Sequence, residues 1–280
     1  MQMKHHYLWN EELKDSLLYD YTLEPSKFFE SMKVPQDRFS YCTANGEYVD
    51  TKGAFLNGSI SLDSVYVRNG KIIGYFQYSH FAEGTDLTDI ILPLKEKEIE
   101  ELIVDLRGNP GGLVETCLQF ASYLVPVDAL GKVFCWLKYN KIVSAEREKS
   151  YGSPYTFYYL KDDVVTRNRN LGLKRMFFIA DGKSASCSEL LINCLRPYMP
   201  VTLIGTSTVG KDVGMYSVQG RQYKYILEPI TFRSYNAVGI PVPETGLVPD
   251  IEITQKPYTV DGKTVDPALE AAFDCIEQED

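Results

Sequence analysis

The stretch RMFFIADGKSASCSELL, residues 175–191, decides how this chain is expected to fold. Its apolar run at 177–180 predicts a short buried strand, and the Asp-Gly pair after it predicts a turn. Ser186 and Glu189 then have the spacing of a capping box at the start of a helix. Ser186 is therefore expected at a strand-to-helix turn, at the positive end of the helix dipole, either as a helix cap or as a nucleophile.

A serine nucleophile in this chain needs an unusual base. The sequence holds three histidines, and two of them, His5 and His6, are at the start of the chain. A desolvated lysine is the main alternative to imidazole as the base. The run VTLIGTSTVGK, residues 201–211, follows a strand-like pattern with a small-residue loop that ends at Lys211. Lys211 is thus the candidate base, and it must be neutral to accept a proton.

A second loop offers groups that can stabilise an oxyanion. The strand-like run at 101–106 is followed by RGNPGG and then by an amphipathic helix pattern over 113–124. Gly111 and Gly112 allow close backbone approach to a ligand, and their N–H groups can join that of Cys187 in an oxyanion hole. An ordinary strand-to-helix turn accounts equally well for two glycines taken alone.

Four motifs in order resemble the catalytic core of the S41 serine peptidases, the carboxy-terminal processing proteases. They are DLRGNPGG at 105–112, SASCSE at 184–189, TVGK at 208–211 and GLVPD at 246–250. The resemblance implies an α/β (α+β) fold with a ClpP/crotonase-like S41 core and an N-terminal helical segment. It also implies Ser186 as nucleophile, Lys211 as base, and the N–H groups of Cys187 and of Gly111 or Gly112 as oxyanion donors.

The chain departs from the family pattern near the lysine. Processing proteases of the family often carry a glutamine four residues after the lysine, where this chain has Met215. Asp212 is expected to be a surface charge, because adjacent side chains usually diverge. Lys183, three residues before Ser186, is a rival base that is expected to be solvated.

A histidine-based triad is the alternative catalytic set. Tricorn-like relatives use histidine and glutamate with the serine, and His80, after the strand pattern at 71–78, could supply the imidazole. Glu244 could then be the polar partner. We rank the His80/Glu244 set below the Ser186/Lys211 dyad.

Composition excludes several classes of function. The chain has 280 residues and a formal net charge of −9, which argues against nucleic-acid binding because the phosphate backbone would be repelled. No metal and no cofactor are implied, since histidine is scarce and the six cysteines lack metal-ligand spacing. The cysteines are expected to be free thiols that pack as small core residues.

The sequence suggests three segments. Residues 1–41 form an N-terminal helical segment, in which Trp9, Leu13, Leu17 and Leu18 fit a helical stripe. Residues 42–64 are a linker at the place where the family usually inserts a PDZ domain, and residues 65–280 are the catalytic domain. The linker is too short for a folded domain, which needs about 50 residues. Specificity would then come from the cleft or from a partner.

We therefore predict a serine endopeptidase that hydrolyses polypeptides by a Ser/Lys dyad through an acyl-enzyme. The alternatives are a catalytically silent S41-fold scaffold or binding protein and a crotonase-like acyl-CoA enzyme. The resemblance implies a cell-envelope or periplasmic location, although the start of the chain has no apolar signal region, so a cytoplasmic location stays open.

Overall fold

A computed structural model of the protein describes residues 2–44, 60–85, 87–150, 155–157, 169–219 and 225–278. The helices in these ranges are α1 (Gln2–His6), α2 (Pro25–Met32), α3 (Thr88–Glu96), α4 (Val114–Leu124), α5 (Lys141–Ser150), α6 (Cys187–Leu195) and α7 (Pro267–Gln278). The strands are β1 (Tyr41–Ala44), β2 (Ile60–Arg68), β3 (Lys71–Tyr78), β4 (Glu101–Asp105), β5 (Val133–Tyr139), β6 (Tyr155–Thr156), β7 (Met176–Ala180), β8 (Val201–Gly205), β9 (Val213–Met215), β10 (Val218–Gln219), β11 (Tyr225–Glu228), β12 (Ile230–Asn236), β13 (Ile251–Glu252), β14 (Tyr258–Val260) and β15 (Lys263–Val265). Within these ranges, every helix is too short or too polar to cross a bilayer. The mixed α/β fold class is as predicted.

The chain divides into two compact units, each assembled from three segments. The first unit comprises Met1–Thr51, Trp136–Pro154 and Val213–Ser234. The second unit comprises Lys52–Cys135, Tyr155–Asp212 and Tyr235–Asp280, and it contains every motif from 105–112 to 208–211.

A six-stranded sheet in the order β13-β8-β7-β4-β3-β2 forms the centre of the second unit. Neighbouring strands from β13 to β3 are parallel, and only β2 runs antiparallel, as the partner of β3. The turn between β2 and β3 has φ of 47° at Asn69 and 81° at Gly70, as a type I′ hairpin requires. An Asn-Gly pair between two strand-like runs is typical of such a hairpin.

Alternating residues of β3 pack against different helices, so both faces of the sheet are covered. Ile73 and Tyr75 belong to a buried cluster that includes Phe273 of α7. Phe76 and Tyr78 instead contact Phe120 of α4, with ring centroids 5.8 and 5.4 Å apart. This sandwich accounts for the near-continuous apolar character of the parallel strands.

Parallel strands place the loops that follow them at one edge of the sheet. The Leu106 N–H donates to the Ile179 carbonyl at 2.7 Å, which joins the exits of β4 and β7. The Thr206 N–H donates to the Ala180 carbonyl at 3.1 Å, which joins the exits of β7 and β8. Three loops therefore meet at this edge: the glycine loop (residues 106–112), the serine loop (residues 181–186) and the lysine loop (residues 206–211).

The first unit has its own small core. Strands β1, β11 and β10 form an antiparallel sheet. Met3, Tyr7, Phe29 and Ile230 are buried together in the core. The Tyr7 hydroxyl donates to a carboxylate oxygen of Asp37 at 2.6 Å, so its polar end is satisfied.

The structure corrects one detail of the predicted N-terminal segment. The helical stripe through Leu17 and Leu18 is wrong, because these side chains lie on a short 3-10 turn and are 89% and 72% exposed. Strands β11 and β12 are separated by Pro229, which cannot donate to a sheet ladder. The predicted linker at 42–64 falls mostly outside the described residues.

Candidate active site

Ser186 lies between β7 and α6, as the strand-turn-helix pattern predicts. Its backbone has φ 55° and ψ −115°, a combination that residues with a Cβ atom rarely adopt. Such strain persists only where the surrounding structure enforces it, and it is concentrated at functional sites. A strained serine on a sharp strand-to-helix turn has the geometry of an exposed nucleophile.

Side chains of the serine turn tie it to the glycine loop. The Asp181 carboxylate accepts hydrogen bonds from the N–H groups of Lys183, at 2.9 Å, and Gly108, at 3.0 Å. The Ser184 hydroxyl donates to the Leu106 carbonyl at 2.7 Å. The turn before Ser186 is thus fixed against the residues that follow β4.

Asn109, which is fully buried, connects the same two loops more closely. Its backbone carbonyl accepts from the Ala185 N–H and from the Ser188 hydroxyl, both at 3.0 Å. Its side-chain amide donates to the Tyr78 carbonyl at 2.7 Å, and its side-chain oxygen accepts from the Gly111 N–H at 2.8 Å. One asparagine therefore positions both sides of the candidate site.

Gly111 and Gly112 have φ of 105° and 143°, and neither position has room for a side chain. A Cβ atom on Gly111 would lie 2.7 Å from the Cβ of Ser186 and 2.8 Å from the backbone nitrogen of Cys187. A Cβ atom on Gly112 would lie 2.2 Å from the Phe81 carbonyl oxygen. The glycine pair is thus required for the backbone to approach the serine so closely.

The direction of the Gly112 N–H follows from the neighbouring peptide groups. The Gly111 carbonyl accepts from the Phe81 N–H at 2.9 Å, so it points toward Phe81. In a trans peptide the N–H is opposed to the C=O, and the Gly112 N–H accordingly points away from Phe81. Gly111 is buried and Gly112 is exposed. Of the two predicted donors, Gly111 already donates to Asn109, whereas Gly112 faces outward.

Glu189, fully buried, joins the serine loop to the lysine loop. One carboxylate oxygen, Oε2, accepts from the backbone N–H groups of Ser186 and Lys211, each at 2.9 Å. The other oxygen, Oε1, accepts from the Gly210 N–H at 2.7 Å and the Thr208 hydroxyl at 2.5 Å. The backbone nitrogens of Ser186 and Lys211 therefore lie within twice 2.9 Å of each other.

The lysines and the aspartate near the site differ in exposure. Lys211 is half-buried, whereas Lys183 is exposed, as predicted. Asp212 is only 5% exposed, so the expectation of a surface charge is wrong. The backbone of Lys211 is held by Glu189, which does not depend on the residue at position 215.

The residues of the alternative triad flank the same loops. His80 precedes Phe81, whose backbone is paired with Gly112, and burial lowers the pKa of His80, so its imidazole is neutral at pH 7. The Glu244 side chain is exposed, while its backbone carbonyl is in close contact with Gly210.

Taken together, the site holds a strained serine, an adjacent pair of glycines, a helix N-terminus and a lysine on a clamped loop. This combination suits nucleophilic attack on a carbonyl with stabilisation of the resulting oxyanion.

Comparison with known proteins identifies the class. The family model of the peptidase S41 N-terminal domain matches residues 1–41, and that of peptidase family S41 matches residues 72–253. The chain therefore belongs to peptidase family S41.

Individual relatives agree with this assignment. The carboxy-terminal processing protease CtpB of Bacillus subtilis (strain 168) is 28% identical over 208 residues, which cover 71% of this chain and 38% of the relative. The carboxy-terminal-processing protease of Bartonella bacilliformis is 26% identical over 206 residues, covering 70% and 42%. The chain thus spans less than half the length of these curated relatives.

The fold is also that of a solved S41 structure. A Bacteroides fragilis NCTC 9343 protein assigned to the S41 proteases superposes with a TM-score of 0.79 at 20% identity. The match covers 99% of this chain and 96% of that structure.

Reasoning from the sequence missed three features of the site: Asn109, Thr208 and the hydrogen bonds from residues 208–211 to Glu189. Asn109 lies before a proline and two glycines, and its side-chain oxygen accepts from a backbone N–H two residues on, as in an Asx turn. Glu189 was expected only as a helix cap, and no local pattern reveals its bonds to residues 208–211.

Proposed function

We propose that this protein is a serine endopeptidase that hydrolyses polypeptide substrates by a Ser186/Lys211 dyad through an acyl-enzyme. The observation that carries the proposal is the Glu189 clamp, in which one carboxylate oxygen binds the backbone N–H groups of both Ser186 and Lys211. A clamp of this kind keeps a nucleophile and its base in one geometry, which lowers the entropic part of the reaction barrier.

In the first step, the Ser186 hydroxyl oxygen attacks the carbonyl carbon of the scissile peptide. The neutral Lys211 amine takes the hydroxyl proton as the new C–O bond forms. The negative charge on the former carbonyl oxygen is stabilised by the N–H groups of Cys187 and Gly112. We assign the second donor to Gly112 because the Gly111 N–H already donates to Asn109.

In the second step, the tetrahedral intermediate collapses and the C–N bond breaks. Lys211 returns its proton to the leaving amine, which leaves an acyl ester on Ser186. A water molecule then attacks the ester with Lys211 again as the base, releasing the acid product and the free serine.

The first test is labelling and turnover with matched variants. A serine-reactive phosphonate should label the wild-type protein at Ser186, and the protein should cleave casein. Ser186→Ala and Lys211→Ala should both lose nearly all cleavage while unfolding at the same temperature as the wild type. Lys211→Arg should also be inactive, because guanidinium keeps its proton at any working pH. Lys183→Ala is the matched control and should keep full activity.

The outcomes separate the alternatives. The cleavage rate should rise with pH, because only the neutral amine of Lys211 accepts a proton. Full cleavage activity of Lys211→Ala, together with loss of cleavage activity in His80→Ala, would show that His80 is the base. A wild-type protein that neither reacts with phosphonate nor cleaves any peptide would point to the silent scaffold.

We further propose that tail recognition by a PDZ domain inserted between residues 42 and 71 does not govern this site. The two family matches leave only residues 42–71 between them, and a folded domain needs about 50. One peptide prepared with a free and with an amidated C-terminus should then be cut at about equal rates. A strong loss on amidation would contradict this part of the proposal.

The family likeness also supports a cell-envelope location. Fractionation of the native host with an antibody against this chain should recover it with the envelope. Recovery in the cytoplasmic fraction alone would contradict the proposed location.

A further inference from the structure

The thiol of Cys187 contacts the glycine loop directly beside the proposed nucleophile. Cys187 is the first residue of α6 and is 2% exposed. Its Sγ lies 3.1 Å from the Gly112 carbonyl oxygen, to which the S–H donates. A second buried thiol, that of Cys117, donates to the Cys187 carbonyl at 3.4 Å. Two S–H groups therefore connect α4, α6 and the glycine loop.

The Gly112 carbonyl is held from the side opposite Phe81. The Leu113 N–H donates to the Phe81 carbonyl at 2.8 Å, so the peptide group between Gly112 and Leu113 is fixed at its nitrogen end. Its carbonyl end points the other way, and there the Cys187 thiol is the donor. The same residue, Gly112, also carries the N–H that faces away from Phe81.

Two backbone hydrogen bonds to Phe81 hold the peptide groups on either side of Gly112, and the thiol adds a third restraint, on the Gly112 carbonyl. Glycine has the largest range of accessible φ and ψ angles, and Gly112 is exposed in a conformation that only glycine adopts easily. A bond to its carbonyl limits rotation about the Cα atom and hence the direction of its N–H. The S–H group is a weak donor, so its hydrogen bond adds little to the stability of the fold. Its effect is on the direction of the Gly112 N–H.

We propose that Cys187 is a positioning residue of the oxyanion site, in addition to supplying a backbone N–H. Its thiol fixes the Gly112 carbonyl and thereby keeps the Gly112 N–H directed at the oxygen of the tetrahedral intermediate. The inference rests on the proposed peptidase function, and it predicts an effect on the transition state with little effect on substrate binding.

The test compares two cysteines of the same helix. Cys187→Ala removes the thiol at the glycine loop, and Cys194→Ala removes a fully buried thiol about two turns further along α6. Cys187→Ser restores a donor at the first position. The measurements are kcat and KM on one quenched fluorescent peptide, and the inhibition constant of the same peptide as an aldehyde, which forms a tetrahedral adduct on the serine.

In Cys187→Ala, kcat should fall about fivefold, as expected for the loss of one weak hydrogen bond, with KM unchanged. The aldehyde should bind more weakly by the same factor. Cys187→Ser should recover part of both losses. Cys194→Ala should keep wild-type kcat and inhibition, even where its melting temperature falls as far as that of Cys187→Ala.

Equal kcat and aldehyde inhibition in Cys187→Ala and Cys194→Ala, with an active wild type, would overturn the positioning role and leave the proposed function intact. A wild-type protein with no turnover and no reaction at Ser186 would overturn the proposed function, and this inference with it.

Discussion

Two carboxylates of the second unit, those of Glu189 and Asp105, are both fully buried but are stabilised in different ways. Glu189 accepts four hydrogen bonds from neutral donors, three of them backbone N–H groups. Asp105 instead forms an ion pair with Arg107 and accepts from the Tyr75 hydroxyl at 3.0 Å. The Glu189 carboxylate joins two loops of the candidate site. The Asp105 carboxylate belongs to a network, called the framework network here, that links β4 through Arg107 to Asp266 at the start of α7.

The Arg107 network extends to the start of the last helix. The guanidinium of Arg107 also binds Asp266 at 2.5 Å, and the Asp266 carboxylate accepts from the Ala268 N–H of α7 at 3.0 Å. Burial alone would lower the pKa of Arg107, but hydrogen bonds and charge from Asp105 and Asp266 outweigh it and raise the pKa. The guanidinium therefore stays charged, and the network holds α7 against the sheet.

Burial of a charge therefore does not by itself mark a catalytic group. What distinguishes Glu189 is the identity of its donors, because two of the four belong to Ser186 and Lys211, the residues that carry the proposed chemistry. Changes at Glu189 should affect turnover as well as stability, whereas changes in the Arg107 network should affect stability alone.

The largest effect is expected for Glu189→Ala. It leaves four buried donors without an acceptor and should lower the free energy of unfolding by about 4 kcal/mol. Turnover by the molecules that remain folded should fall by about 100-fold or more, because the loops of Ser186 and Lys211 lose their common anchor. Urea unfolding and casein cleavage at low temperature measure the two effects. Glu115→Ala, an exposed acid in the first turn of α4, is the control and should match the wild type.

A smaller effect, confined to stability, is expected for Asp266→Ala. This change removes one partner of Arg107 and the cap of α7, and it should lower the free energy of unfolding by about 2 to 3 kcal/mol. Asp274→Ala changes an exposed acid in the same helix and should have little effect. If casein cleavage per folded molecule falls as far in Asp266→Ala as in Glu189→Ala, the proposed division between site and framework is wrong.

Thr208→Val tests how much the Thr208 hydroxyl contributes to the Glu189 clamp. Valine keeps the shape of threonine but removes the donor to Glu189 and the acceptor for the Leu247 N–H, which lies 2.8 Å from the hydroxyl. We expect a loss of about 1.5 kcal/mol in the free energy of unfolding and about a tenfold fall in kcat. Steady-state kinetics and urea unfolding of the same preparation test this, and unchanged kcat would limit the clamp to its three backbone donors.

The smallest effect is expected for Tyr75→Phe in the framework network. Burial and then the charge of Asp105 raise the pKa of Tyr75, so its phenol keeps the proton and donates to that carboxylate. Losing this single bond should cost about 1 kcal/mol of stability and leave kcat unchanged. Asp105 keeps its ion pair with Arg107 in this variant, so a fall in kcat would show that the network also supports the site.

The parts of the fold that were predictable from sequence are those set by local patterns. Strand β7, helix α6 and the Asn69-Gly70 turn each follow from apolar periodicity, capping residues or a turn dipeptide. The predicted helical stripe through Leu17 and Leu18 was wrong. Its periodicity is that of a helix, but too few neighbouring residues surround these side chains to bury them, and they remain in solvent.

The site was only partly predictable for a related reason. The strand-to-helix turn at Ser186 was visible locally, but the bonds from Glu189 to residues 208–211 depend on the parallel order of β7 and β8. Asn109 likewise acquires its partners only when the exits of β4 and β7 meet. Long-range hydrogen bonds of this kind follow from topology, which no short window of sequence contains.

The positive φ angle of Ser186 sets the local stability of the chain against the side chain that it carries there. A glycine at this position would relieve the backbone strain and is expected to raise the free energy of unfolding by roughly 0.5 to 1 kcal/mol, at the expense of the hydroxyl. The hydroxyl at position 186 is therefore carried at a cost to folding, because the same backbone geometry favours a residue without a Cβ atom.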